Sequence, residues 1–315
     1  MRVIRRLPPR TRLLAPCLLS LCLLLPGTLS AGLKRAATGA DRPVLIYDYP
    51  PGQALPIHFR LADGGPKGDP SQAALRLSGS SQFDAPGLDN LARFLPGPLT
   101  VVDLRQESHG FLNGRPISWF AARDAANAGK TPGQAAADER ARLRRLSDTA
   151  TAEVTVILEK NAQGGIGASE RLAVDVTDVI DEAKLTADRG LGYLRLYVPD
   201  HMAPDAGQVD RFIEYCRAMA PGTWLHVHCH AGEGRTTTFM VLYALLRNPG
   251  GKPLEAIAAE QAAAGGVDLL GQVPGGWKKA MYLARGDFLR QFAAYAAANP
   301  GGAPLTFGQW RATAR

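Results

Sequence analysis

Short apolar runs rich in β-branched residues recur along the chain: LTVVDL at 99–104, VTVILE at 154–159, GYLRLYV at 192–198 and TWLHVHC at 223–229. Runs of this length and make-up predict strands. Between them the apolar spacing becomes helical. Over 209–219, Val209, Phe212, Ile213, Cys216 and Met219 fall on one helical face, which predicts that Cys216 is a buried core thiol. The Ala-rich stretch at 256–264 continues the helical pattern until the glycine pair at 265 and 266 breaks it. Strands alternating with helices predict an α/β fold. The stretch 147–188 has a different rhythm, with a short strand, a Gly-rich turn (QGGIG) and a second β-prone run (RLAVDVTDVI). It predicts a small β-rich insertion in a single domain made of 43–146 and 189–315. No internal repeat is visible.

An apolar run of another kind opens the chain. Residues 1–12 (MRVIRRLPPRTR) are basic, 13–25 are almost wholly apolar, and PGTLSA then supplies a turn and small residues near Ser30 and Ala31. This pattern predicts a secretory signal peptide over 1–31, followed by a flexible polar lead-in over 32–42. The apolar run is far short of the ~20 residues that a spanning helix needs, which argues against a retained anchor. TTTFMVLYALL at 236–246 is also too short. Pro16 and Leu21, which precede Cys17 and Cys22, are not the small residues that a lipid-attachment cysteine follows. The expected mature protein is soluble, and periplasmic or secreted.

Cleavage changes the charge. The formal net charge of +7 drops by five to +2 with the loss of Arg2, Arg5, Arg6, Arg10 and Arg12, so the basicity gives no support for a nucleic-acid or membrane-surface partner. Cleavage also removes Cys17 and Cys22, leaving Cys216 and Cys229. Two cysteines staple little of a chain this long, so stability must come from an ordinary apolar core. A regulatory Cys216–Cys229 disulfide is the alternative to a buried Cys216.

The chemistry concentrates in Cys229-His230-Ala231-Gly232-Glu233-Gly234-Arg235, between a strand and an apolar helix. Such a strand–loop–helix unit makes an anion site: glycines let successive backbone N–H groups turn inward, and the helix N-terminus adds partial positive charge. Arg235 can grip two phosphate oxygens in a fork. The same field favours the thiolate of Cys229, and the Thr236 hydroxyl can hydrogen-bond that sulfur. Upstream, PDHMAP at 199–204 follows a strand and offers Asp200 as a general acid for a leaving alkoxide. Asp205 is the better helix cap.

With these motifs the chain resembles the bacterial protein-tyrosine-phosphatase-like inositol phosphatases, or cysteine phytases. The resemblance covers nearly all of the mature chain, through HCHAGEGRTT and PDHMAP together with PIHFR at 56–60, SGSSQF at 78–83, DLRQESHGFLNGRPISW at 103–119, RDAANAGK at 123–130, EQAAAGGVDL at 260–269 and WKKAMYLAR at 277–285. It implies a tyrosine-phosphatase-like α/β core, a mixed sheet flanked by helices, with a partial β-barrel insertion. The implied activity is stepwise hydrolysis of myo-inositol hexakisphosphate with neither metal nor cofactor. By the family pattern Cys229 is the nucleophile, Asp200 the acid and then the base, and Arg235 with the loop amides stabilises the transferring phosphoryl group. The implied substrate contacts are Arg60, Glu107, His109, Asp124, His201, Lys278 and Arg285. Glu107, Asp124 and His109 are alternatively residues that hold the cations in place.

Two features complicate the match. Glu233 puts an acid near a polyanionic ligand, which His230 offsets when protonated. LEKNAQGG at 158–165 leaves Lys160 without a secure counterpart, which points towards lower inositol phosphates as preferred substrates. Three rivals stand beside the family reading. A metal site on His226, His228 and His230, which alternate along a strand, leaves GEGRT and PDHMAP unexplained; the structural alternative for His226 and His228 is a pair of hydrogen-bonded histidines beside the loop, with His228 orienting it. A protein-tyrosine, dual-specificity or phosphoinositide phosphatase would use the same Cys-Arg loop. A non-catalytic phosphate binder would not need Asp200.

Overall fold

The computed structural model describes residues 43–63, 75–248, 250–271 and 273–313. The expected signal peptide (1–31) and lead-in (32–42) lie outside the described residues. Two sheets organise the rest. The first has five strands in the order β10-β4-β11-β3-β2, formed by β2 (Arg60–Leu61), β3 (Leu77–Ser80), β4 (Leu99–Arg105), β10 (Gly192–Val198) and β11 (Trp224–His228). Its pairs β10–β4, β4–β11 and β11–β3 are parallel, and β3–β2 is antiparallel, so the sheet is mixed, as the resemblance implies. Three of the four strands expected from sequence are its members, each within a residue or two of the expected bounds.

Helices cover both faces of this sheet. Val102 and Leu104 of β4 join the main core, whereas Val101, one residue before Val102, packs with Leu88, Leu91 and Leu185 on the other side, the alternation a pleated strand imposes. Leu88 and Leu91 belong to α1 (Ala85–Phe94), and Leu185 to α3 (Glu182–Ala187). At the centre of the main core lies α5 (Gly234–Leu246), whose residues from Arg235 to Leu246 are all buried. A helix apolar on every side belongs inside a globule. Around it pack α4 (Ala206–Ala218), α6 (Leu254–Ala263), α7 (Lys279–Ala298) and α8 (Phe307–Thr313). On α4, Val209, Phe212, Ile213 and Cys216 are buried, as the periodicity predicts. Both Cys216 and Cys229 are free thiols. Asp205 caps α4 by accepting from the Gln208 N–H at 2.9 Å; this fixes where the helix starts and where the preceding PDHMAP loop ends. Among the described residues no helix is long and apolar enough to cross a membrane.

The second sheet differs from expectation in its membership. It has six strands in the order β8-β7-β1-β6-β5-β9, and the 147–188 segment supplies only β7 (Thr151–Ile157), β8 (Ser169–Asp175) and β9 (Val179–Ile180). The other three are β1 (Val44–Tyr47), β5 (His109–Leu112) and β6 (Arg115–Phe120). Strand β7 lies parallel beside β1, which pairs antiparallel with β6. The expected insertion is thus one half of a larger sheet. Leu143 and Leu146 of α2 (Pro132–Ser147) pack on Tyr47, Ile117, Trp119 and Val154 of this sheet.

Candidate active site

The Cys229 loop leaves the C-terminal end of β11 and enters α5, and its carbonyls are tied outward one after another. The His230 carbonyl accepts from the Gln82 N–H and the Tyr49 hydroxyl, each at 3.0 Å. Nδ1 of His58 lies 2.7 Å from the Ala231 carbonyl and Nη1 of Arg60 is 2.8 Å from that of Gly232. With three successive carbonyls held from behind, the loop N–H groups are left for the other side, where they form an anion cradle at the helix N-terminus. Gly232 has φ +74°, and a Cβ there would sit 2.3 Å from the Ser81 nitrogen. No other residue fits that turn.

Cys229 is buried at the base of the cradle, with the Thr236 hydroxyl 3.2 Å from its sulfur. Arg235, also buried, is held as a rigid fork: Nη1 and Nη2 donate to the two Glu107 carboxylate oxygens at 2.7 and 2.9 Å, and Nη1 also donates to the Val198 carbonyl at 3.0 Å. Glu107 in turn accepts from Nε of Arg105 at 2.9 Å. Burial by itself would raise the Glu107 pKa, but the Arg235 and Arg105 guanidiniums hold it far below the usual carboxylate range. Asp200 completes the group. Its Oδ1 lies 3.1 Å from Nη2 of Arg235 and its Oδ2 lies 3.0 Å from Nε2 of His201. Burial again opposes ionisation, and Arg235 and the His201 hydrogen bond outweigh it, keeping Asp200 well below the ordinary aspartate value.

Cys229 and Asp200 open into a cleft of about 500 Å³, a size suited to a small ligand. Of the substrate contacts expected by resemblance, Asp124, His201, Lys278 and Arg285 line it, as do Cys229, Asp200, His230, Ala231, Glu233 and Gly234 of the motifs. Three others lie elsewhere. Arg60 is buried behind the loop, where Nη2 donates to Thr237 Oγ1 at 2.9 Å; its pairing of β2 with β3 turns it to the back of the cradle. Glu107 meets Arg235 rather than the cleft. His109, on β5, points into a buried cluster, with Nε2 3.2 Å from Asp103 and 3.5 Å from Glu182. The cleft also gathers residues that sequence reasoning passed over: Arg123, Trp277, Tyr282, Tyr49, Asp48 and the unaligned Lys160. Lys160 Nζ stands 3.7 Å from Asp124 and 4.6 Å over the Phe120 ring. His230 lies 3.3 Å from Asp124 and 3.6 Å from Asp48. Glu233 is exposed at the outer lip.

The strand histidines have partners of their own. His226 is held between Ser78 and Ser80 hydroxyls at 3.0 and 2.9 Å, and Nε2 of His228 meets Glu182 at 2.7 Å. His226 and His230 therefore do not converge on one point, which removes the HVHCH metal reading. Asp103, Glu182 and His228 do bring ligand atoms within 4.8 Å of one another; the ring of His109 already faces both carboxylates. Burial and Arg105 would lower the His109 pKa, yet Asp103 prevails and raises it to about 9. Burial and His228 push His226 down to about 3. The signs oppose each other. His109 contributes stability that is present below its unfolded value of 6.5 and lost as pH rises through 9. His226 refuses a proton that the unfolded chain takes up, so stability falls as pH drops from 6.5 towards 3. Urea midpoints should therefore peak near neutrality and decline on both sides, with His109→Gln flattening the alkaline limb. A midpoint that climbs steadily to about pH 9 would contradict this.

Comparison with known proteins agrees with the geometry. Residues 102–247 match the family described as PTP-like phytase, inositol hexakisphosphate. Effector protein hopD2 of Pseudomonas syringae pv. tomato is 32% identical over 220 residues, 69% of this chain and 46% of that protein. The PTP-like myo-inositol phosphatase from Mitsuokella multacida, solved in complex with myo-inositol-(1,3,4,5)-tetrakisphosphate, is 27% identical with a TM-score of 0.79 over 90% of this chain and 51% of its own. The chain thus spans about half the length of these two relatives. The PTP-like phytase from Bdellovibrio bacteriovorus is 33% identical, with a TM-score of 0.70 over 88% of this chain and 97% of its own. Cradle, fork and acid thus sit in a fold shared almost end to end with that enzyme, and the chain belongs to the protein-tyrosine-phosphatase-like phytase family.

Proposed function

We propose that the chain is a cysteine-dependent phosphatase that removes phosphates stepwise from myo-inositol hexakisphosphate and lower inositol phosphates, without a metal, through a phosphocysteine intermediate. One observation carries the substrate class: beyond the loop, cations from separate elements ring the cleft. Arg285 of α7 is buried there with no carboxylate partner among the described residues and with its Nε unbonded, while Arg123, Lys160 and Lys278 stand around it. A buried guanidinium without a counter-ion is an anion site, and distributed cations suit a ligand that carries several phosphates. Three of the acids in the cleft are already answered: Asp48 by Arg105 at 2.7 Å, Asp124 by His230 and Lys160, Asp200 by Arg235. The signal peptide expected over 1–31 is the ground for proposing a periplasmic or secreted site of action.

In the reaction the Cys229 thiolate attacks phosphorus, the ester P–O bond breaks, and Asp200 gives its proton to the departing alkoxide. Loop amides and Arg235 hold the phosphoryl oxygens throughout. Asp200, now a carboxylate, takes a proton from water as that water attacks phosphorus; a new P–O bond forms and the P–S bond breaks, which returns thiolate and free phosphate. The test is phosphate release from the hexakisphosphate in the presence of chelator, with products followed by anion-exchange chromatography. Successive lower inositol phosphates are expected. If the protein hydrolyses nitrophenyl phosphate but no inositol phosphate, the nucleophile stands and the substrate class falls; phosphotyrosine peptides and phosphoinositides are then the substrates to try.

Asp200 must gain a proton on the way to acting as acid. Arg235, 3.1 Å away, holds it ionised. An incoming phosphate competes for Nη2 of Arg235 and brings negative charge, and both changes raise the affinity of Asp200 for a proton. Binding of the hexakisphosphate to a Cys229→Ser protein should take up as much as about one proton more than binding to the Cys229→Ser/Asp200→Asn protein. Calorimetry in buffers of different ionisation heat reads the difference, and equal uptake would remove Asp200 from the proton-carrying role.

A further inference from the structure

The general acid is set by its neighbours, and one of them has no part in the reaction as described. Asp200 reaches Arg235 with one oxygen and His201 with the other. His201 has φ +63°, a left-handed backbone that is uncommon outside glycine and persists only where the surroundings over-determine it. Against its ring stands Trp277, with centroids 4.9 Å apart and planes at 84°, a favourable edge-to-face geometry. The indole is itself clamped. The Arg123 guanidinium lies 4.9 Å from its centroid, a cation–π distance. Gly164, in the β7–β8 connection, approaches so closely that a Cβ there would be 3.1 Å from Cζ2 of Trp277 and 3.0 Å from Cγ of Arg123. Arg123 is also left-handed, with φ +63°, and is anchored to the same connection through its N–H to the Gly164 carbonyl at 2.7 Å and its Nε to the Gln163 carbonyl at 3.1 Å. Two strained backbones, from loops far apart in sequence, thus lean on a single side chain.

We infer that Trp277 is a positioning residue for the general acid: it holds His201, and through it the Asp200 carboxyl, in the orientation that delivers a proton to the leaving group, and it ties that orientation to the β7–β8 connection of the second sheet. The inference rests on the assignment of Asp200 as acid and does not depend on which phosphate ester is the natural substrate. Its consequence is specific. An acid matters more as the leaving group becomes more basic, so a displaced Asp200 costs more on phenyl phosphate than on nitrophenyl phosphate, whereas general damage to the fold or to phosphate binding costs the same on both.

The experiment measures kcat and KM on phenyl and nitrophenyl phosphate for the wild-type protein and for Trp277→Ala, Trp277→Phe, Arg123→Met, Asp200→Asn and the Trp277→Ala/Asp200→Asn pair. Asp200→Asn should lower the phenyl-to-nitrophenyl ratio of kcat by roughly 100-fold, and Trp277→Ala should lower it by about tenfold in the same direction. Trp277→Phe, which keeps an aromatic edge for His201, should restore the ratio to within about twofold, and the pair should show no loss of ratio beyond that of Asp200→Asn. Arg123→Met gives a smaller shift of the same sign and serves if Trp277→Ala does not fold. Equal losses on both esters, a rise in KM alone, or a further loss of ratio in the pair would overturn the inference. If Asp200→Asn leaves the ratio at the wild-type value, the assignment of the acid fails first, and that result is distinct from a Trp277→Ala ratio that stays put while the Asp200→Asn ratio collapses.

Discussion

A Cys229→Ser protein should release no phosphate above background, a loss on the order of 10⁴-fold or more in kcat, as removal of a covalent nucleophile does elsewhere. The surroundings explain why serine cannot substitute. The cradle is built around sulfur: outward-tied carbonyls leave N–H groups facing the site, and Thr236 contributes a hydroxyl 3.2 Å from the sulfur. Sulfur is intrinsically the stronger nucleophile, whereas a serine hydroxyl needs a base to take its proton. The nearby histidines are committed elsewhere, His226 to two serines and His228 to Glu182. Ligand binding should survive, because backbone, Arg235 and Arg285 make the anion site. Calorimetric binding of the hexakisphosphate at near wild-type affinity, beside absent turnover, is the expected pair of results. Turnover above about 1% of wild type in the serine protein would show that the phosphoryl group goes to some other acceptor.

The parts of this site that were legible in sequence are those encoded over a few residues. The Cys229 loop is contiguous, and its glycines, arginine and threonine sit where strand, turn and helix need them. Asp200 and Asp205 follow from a proline-bounded loop and a helix start. Arg60 and His109 show the limit. Each comes from a family motif, but whether a cation faces ligand or core depends on the strand it pairs with: Arg60 lies opposite Gly79 and His109 opposite Ser118, and a local pattern carries no such information. The same blindness hid half of the second sheet, since β7 looks self-contained with β8 until it is seen beside β1, more than a hundred residues earlier in the chain. Arg123, Lys160 and Trp277 escaped because their role arises where separate turns meet.

Glu107 has the largest expected effect among residues that never touch the ligand. It accepts from Arg235 with both oxygens and from Arg105 with one, and it is buried with both. Glu107→Ala leaves two buried guanidiniums short of a counter-charge, at a cost of about 3–5 kcal/mol to stability. It also frees the Arg235 fork. The nearest carboxylate then is Asp200, already 3.1 Å away, so the freed fork closes on the acid and holds it ionised. Misplacement of that kind costs about 10²-fold or more in kcat even where the chemistry is otherwise intact. Glu107→Gln keeps the shape and separates the two losses: one carbonyl can still accept, but its NH₂ opposes the guanidinium N–H groups, so activity falls while the fold is less perturbed. The pH dependence gives an independent sign. The folded carboxyl titrates far below its unfolded value of 4.5, so its contribution is present above 4.5 and is lost as pH falls; the glutamine protein should lack that part of the acid-side decline in stability. Denaturation midpoints and kcat measured on the same preparations decide the matter. Wild-type kcat in Glu107→Ala would mean that the Val198 carbonyl, 3.0 Å from Nη1, orients Arg235 on its own.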